Sequence, residues 1–165
     1  MENVAVSQQG NDSKRAALLV LAGGLVAGTF DITYACVFWA IKAGARPTRI
    51  FQSVARGLLG PASFQGGAKT AALGLFLHYF IAITMSIFYY FAARKLTVLH
   101  KYPLRCGAVY GLGLFLVMTY IVVPLSRAGG GASPGKLWVV LSILVHMFLI
   151  GVPIAFFTRR AIESR

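Results

Sequence analysis

Apolar positions along the chain gather into four long runs, 16–41, 71–92, 107–125 and 137–158, broken by short stretches rich in Lys, Arg, Gly and Pro. A helix needs roughly 20 mostly apolar residues to cross the hydrocarbon of a bilayer. Each run is therefore long enough for one crossing. The pattern predicts an all-α integral membrane protein, with four transmembrane helices in one domain at 16–160. The polar stretch 1–15 reads as a disordered N-terminal tail, and 161–165 as a C-terminal tail. The first run exceeds the 7–15 apolar residues of a signal-peptide core and has no clean small-x-small cleavage pattern, so it is read as a retained helix.

One connection has a pattern of its own. Over 48–59, Ile50, Phe51, Val54 and Leu58 fall on one helical face, and Arg49, Gln52, Ser53 and Arg56 on the other. This predicts a short amphipathic helix, capped by Thr48 and stopped by Gly60-Pro61. It is too short to span, and its arginines are costly at depth. It is expected to lie flat in the outer headgroup layer, with a re-entrant segment as the alternative.

Composition narrows the class. With 58% hydrophobic and 12% charged residues, a soluble domain of this size has more apolar surface than one core hides. The net charge of +12 would suggest nucleic acid in a soluble protein. Here the cations flank the apolar runs, where they meet lipid headgroups and set topology. The expected partner is the lipid bilayer, and no nucleic acid.

Four crossings put both termini on one side, together with the paired cations Lys14-Arg15, Arg94-Lys95 and Arg159-Arg160 at helix ends. The positive-inside bias makes that side cytoplasmic. Trp39 and Trp138 then belong to the outer interface, and Tyr89, Tyr90 and Tyr110 to the inner one.

Small residues mark helix-packing faces: Gly24-x-x-x-Gly28 in the first run and Gly107-x-x-x-Gly111 in the third. The second and fourth runs carry His78-Tyr-Phe80 and His146-Met-Phe148, which gives a weak internal repeat of a glycine helix followed by a histidine helix. Such a repeat would be parallel, about an axis along the membrane normal.

Asp31, His78 and His146 are the ionisable residues inside the runs, and a charge in hydrocarbon is rarely kept without a partner or a purpose. At 1.5 Å per residue they lie about 15, 10 and 14 Å from the outer helix ends. The common depth predicts a polar cluster, to which Tyr34 and Tyr120 can add hydroxyls. Pro124 and Pro153 free carbonyls one turn earlier, at Tyr120 and Leu149. Three readings follow: interhelical hydrogen bonding that fixes register, proton or cation passage, and a metal site of two His and one carboxylate. Haem ligation by the two histidines is a lesser variant of the last. No H-x-x-x-H or E-x-x-H spacing supports a metal, and no cofactor is expected.

Other motifs carry no chemistry. Gly130 to Lys136 has the G-x-x-x-x-G-K skeleton of a phosphate-binding loop, but Leu137 stands where a Ser or Thr should hold magnesium, and no strand precedes it. There is no G-x-S-x-G elbow, and Cys36 and Cys106 read as small packing residues.

In the stretch Arg49-Ile-Phe-Gln52-Ser53-Val-Ala-Arg56-Gly57-Leu-Leu-Gly60, with His78 and Pro124-Leu-Ser126, the chain resembles a family of small uncharacterised bacterial four-helix inner-membrane proteins. The resemblance implies a bacterial plasma membrane and transfers no catalytic residue. The expected function is a non-enzymatic membrane component. A proton- or ion-coupled small permease or channel, acting as a homo-oligomer through its G-x-x-x-G faces, is the alternative.

Overall fold

The computed structural model describes residues 2–129 and 135–164. Among these the chain is all helical. The helices are α1 (Glu2–Ala43), α2 (Pro47–Leu59), α3 (Gly67–Lys95), α4 (Thr97–Lys101), α5 (Pro103–Leu125) and α6 (Lys136–Glu163), with a 3-10 turn at Gly60–Gln65. Four of them, α1, α3, α5 and α6, are long and apolar enough to cross a membrane.

Helix boundaries follow local chemistry rather than the ends of the apolar runs. Pro47 and Pro103 occupy first-turn positions, where the missing N–H costs nothing. Arg46 and Tyr102 before them are non-helical, as a following proline demands. The start of α2 at Pro47 moves Thr48 inside the helix, and no side chain caps it. Gly44 and Gly60, with φ of 62° and 67°, end α1 and α2. The stretch expected as a disordered tail, from Glu2 onward, continues α1 as helix. It contains no proline, and a helix already nucleated extends at little cost. At the other terminus α6 runs to Glu163, where Arg159 Nε donates to Glu163 Oε1 at 2.6 Å, a pairing one turn apart that supports the last turns.

Two helices contain a π turn. Residues Met118–Val122 of α5 and His146–Gly151 of α6 bond i to i+5, and each segment ends two residues before a proline. Pro124 and Pro153 lack an N–H, so the ladder ahead of them shifts by one residue.

The bundle is antiparallel. At one end Ala16 and Val20 of α1 pack with Tyr90 of α3 and Ala161 of α6. At the opposite end Tyr34, Phe38 and Trp39 of α1 stack around Trp138 of α6, with ring centroids 4.9 to 5.3 Å from that of Trp138. Between them the core joins Ala27, Tyr89, Leu114, Val145, Ile154 and Ala155. The core is thin. Only 17% to 39% of each spanning window is buried, and large side chains such as Phe76, Phe88 and Val109 are 65% to 71% exposed. A surface this apolar is stable in a hydrocarbon solvent and strongly unfavourable in water, which fits a multi-pass membrane protein.

Glycines set the helix spacing. A Cβ on Gly24 would lie 2.7 Å from Ile83 Cα, and one on Gly28 would lie 3.1 Å from Ala82 Cβ, so α1 and α3 cross almost backbone to backbone. Gly107 faces the Gly151 carbonyl of α6 in the same way, at 2.8 Å, and Gly111 faces the His146 carbonyl. Both glycine pairs are therefore occupied inside one copy of the chain. The expectation that they form an oligomer interface is replaced by intramolecular packing: in each half, the glycine helix meets the histidine helix that follows it.

Candidate functional site

Asp31 of α1, His78 of α3 and His146 of α6 line one cavity of about 180 Å³, together with Val54 of α2, Met118 of α5 and Ile150 of α6. The space is large enough to hold water next to these polar side chains.

Small residues bring these side chains inward. Gly28 lies nearly one turn before Asp31, so α1 approaches α3 closely at that level. On α3, Gly74, Ala82 and Ser86 share the face of His78, and all three are buried. The Ser86 hydroxyl donates to the Val20 carbonyl at 2.8 Å, which ties the same two helices.

Hydrogen bonding orients both histidine rings. His78 Nε2 lies 2.7 Å from the Gly28 carbonyl, and His146 Nδ1 lies 2.8 Å from the Ser142 carbonyl. A carbonyl only accepts, so each of these nitrogens carries a hydrogen. In the neutral rings, Nδ1 of His78 and Nε2 of His146 are left with a bare lone pair. Asp31 makes no hydrogen bond or ion pair among the described residues. It is not the Asp–His or Asp–Arg tether that interhelical bonding would require. His78 supplies that tether to the Gly28 backbone instead.

The tyrosines behave differently from the sequence expectation. Tyr34 stands one turn beyond Asp31, where its hydroxyl lies 3.3 Å from Ser142 Oγ and 3.5 Å from the Trp138 carbonyl. It braces the turn that holds His146 and does not line the cavity. Tyr120 is 70% exposed and points away. Met118, two positions earlier and roughly on the opposite side of the helix, takes the inward place.

The amphipathic segment is part of the cavity wall. α2 lies against the start of α3 so closely that a Cβ on Gly74 would collide with the Phe51 carbonyl. The Arg127 N–H donates to the Gly57 carbonyl at 2.9 Å, which pins α2 to the end of α5. Gln52, expected on the polar outer face, is buried: its amide donates to the Gly67 carbonyl at 3.0 Å and to Thr70 Oγ1 at 3.3 Å. The apolar stripe is correspondingly rotated, with Ile50 and Ala55 buried and Leu58 55% exposed. Arg49 rests over the Phe64 ring at 4.2 Å, and Ser53 Oγ donates to the Ile50 carbonyl. Arg56 Nε is buried with no hydrogen-bond partner among the described residues.

Two features escaped the sequence reading: the π turns, and the contribution of α2 through Val54. The π turns had a signal. Met118 and His146 each open a π segment and both line the cavity, and each segment is announced by a proline two residues past its end. Extra-residue turns of this kind recur at functional sites.

The chemistry of the donors is limited. Among the described residues, no three His, Cys, Asp or Glu side chains stand close enough to share one metal ion. Cys36 and Cys106 are both free thiols. The phosphate-loop skeleton at Gly130 to Lys136 falls mostly outside the described residues. What the cavity offers, among the described residues, is one carboxyl group without a partner and two imidazole rings that each have one nitrogen outside any hydrogen bond. No protein-family model, curated protein or solved structure matches the chain, so the likeness in 49–60 assigns it to no family, and its function is read from its own geometry.

Proposed function

We propose that this chain is a non-enzymatic, multi-pass protein of the bacterial plasma membrane, with both termini cytoplasmic, that takes up and releases protons at the Asp31/His78/His146 cavity. It acts as a small proton-coupled permease or channel. One observation carries the reading: three ionisable side chains from three different spanning helices line a single cavity, and Asp31 there has no partner among the described residues. A carboxylate at bilayer depth is expensive, and a carboxylate serving only as packing glue would be bonded. His78 and His146, when neutral, each keep one ring nitrogen able to accept a proton in the same cavity.

Infrared titration of the reconstituted protein tests the site. The reading expects a carboxyl band that responds to bulk pH in wild type and is missing in Asp31→Asn. If no titrating band depends on Asp31, the site does not exchange protons with solution.

A structural reading has support of its own. The His78–Gly28 bond joins α1 to α3 wherever the glycine crossing is made, so His78 serves packing even if it also carries protons.

A further inference from the structure

A second hollow, of about 540 Å³, opens on the outer surface between α3 and α5, at the end of the bundle where α4 connects them. Its walls are apolar: Phe88 on α3, Leu99 on α4, and Val109 and the Tyr110 ring on α5. The polar atoms along it are already satisfied within the protein. Tyr89 Oη donates to the Leu99 carbonyl at 2.9 Å, Tyr110 Oη to the Met85 carbonyl at 2.8 Å, and Cys106 Sγ to the Val98 carbonyl at 3.4 Å. The hollow thus presents hydrocarbon with no polar demand, which suits an acyl chain.

One charged side chain lines it. Arg105 is exposed and, among the described residues, makes no ion pair or cation–π contact. Arg94, Lys95 and Lys101 cluster at the same end, with no acidic residue between 94 and 105. Arg94 and Lys101 lie over Tyr90 and Tyr102, at 6.0 and 5.7 Å, so they are held near their own rings. An apolar hollow lined by an unpaired guanidinium, beside a 94–105 stretch whose charges are all basic, complements a molecule with a hydrocarbon tail and a negative head.

We propose that this hollow binds one anionic phospholipid, its acyl chain between Phe88 and Val109 and its phosphate on Arg105. The inference rests on the membrane reading and is independent of proton handling at Asp31.

The test is retention of lipid by the purified protein in detergent. Wild type is mixed with equal amounts of phosphatidylglycerol and phosphatidylcholine of identical chains, and bound lipid is counted by native mass spectrometry. One phosphatidylglycerol should be retained in preference to phosphatidylcholine. Arg105→Gln should reduce that preference about fivefold, the weight of one cation facing an anionic headgroup. Lys14→Gln, a control cation on α1, should leave it unchanged. Val109→Trp, at a site 71% exposed and so tolerant of bulk, should lower retention of both lipids by filling the hollow, with circular dichroism confirming that the helices are intact. Equal retention of the two lipids in wild type would overturn the proposal, as would an unchanged preference in Arg105→Gln. Equal thermal stabilisation by inorganic phosphate and by phosphatidylglycerol would also overturn it, because it would show a free-phosphate site.

Discussion

His78 Nε2 reaches the backbone carbonyl of Gly28 at 2.7 Å, across the close crossing of α1 and α3. The bond exists because Gly28 has no side chain to hold α3 away. It requires a hydrogen on His78 Nε2, because a carbonyl only accepts. One glycine therefore governs both the helix spacing and the orientation of a cavity side chain.

Removing the ring should cost what an interhelical hydrogen bond contributes in a membrane bundle. His78→Phe is expected to destabilise the protein in detergent by about 1 kcal/mol, whereas His78→Gln, which keeps an N–H donor, should recover part of the loss. Thermal unfolding followed by circular dichroism reads both. A His78→Phe protein as stable as wild type would show that the bond does not hold the crossing.

Glycine positions separate packing from propensity. A Cβ at Gly111 collides with the His146 carbonyl, while one at Gly113, on the same helix, meets nothing within 4 Å. Gly111→Ala should destabilise by about 1–3 kcal/mol through overpacking. Gly113→Ala should be neutral or stabilising by about 0.5–1 kcal/mol, since alanine loses less backbone freedom in a helix. The same denaturation experiment on both variants decides, and equal effects would contradict the close α5–α6 contact.

The order of crossings gives a third expectation. Reporter fusions within 96–104 and after residue 164 should behave as cytoplasmic, and fusions within 62–68 or after Gly129 as external. An odd number of crossings would remove the four-helix arrangement, while a wholly inverted pattern would reverse orientation and leave the cavity in place.

Cysteine oxidation checks helix direction. Cys36 lies on α1 close to the Trp39 and Trp138 cluster, and Cys106 lies on α5 near its start, at the α4 end. Mild oxidation of native membranes should yield no intramolecular crosslink between them, because a disulfide needs Cα atoms within about 7 Å. Such a crosslink, seen as a mobility shift reversed by reductant, would mean that α1 or α5 runs the other way.

Much of this was legible in the residue pattern, for physical reasons. Runs of about 20 apolar residues have few structural solutions, and a fixed rise per residue converts sequence position into depth, which is why Asp31, His78 and His146 were expected together. Depth does not give rotation. Tyr120 shares the right level but sits within a π turn, where the phase shifts, and it faces outward while Met118 faces in. Polarity alone predicts Gln52 on the outside, yet Gly67 and Thr70 offer it buried partners that no helical wheel reveals. The course of α2 along the cavity wall depends on Gly74, thirteen residues beyond Pro61, and a pattern within 48–59 contains no information about it.

A protein that exchanges protons at Asp31 should carry a measurable proton flux once reconstituted. Proteoliposomes holding a pH-sensitive dye are given a pH step and a membrane potential, and dissipation is compared between wild type and Asp31→Asn, with folding of the variant checked by circular dichroism. Wild type should show flux above protein-free vesicles, and Asp31→Asn should show flux at the protein-free level at unchanged helicity. Wild-type flux no greater than empty vesicles, or undiminished flux in Asp31→Asn, would contradict it.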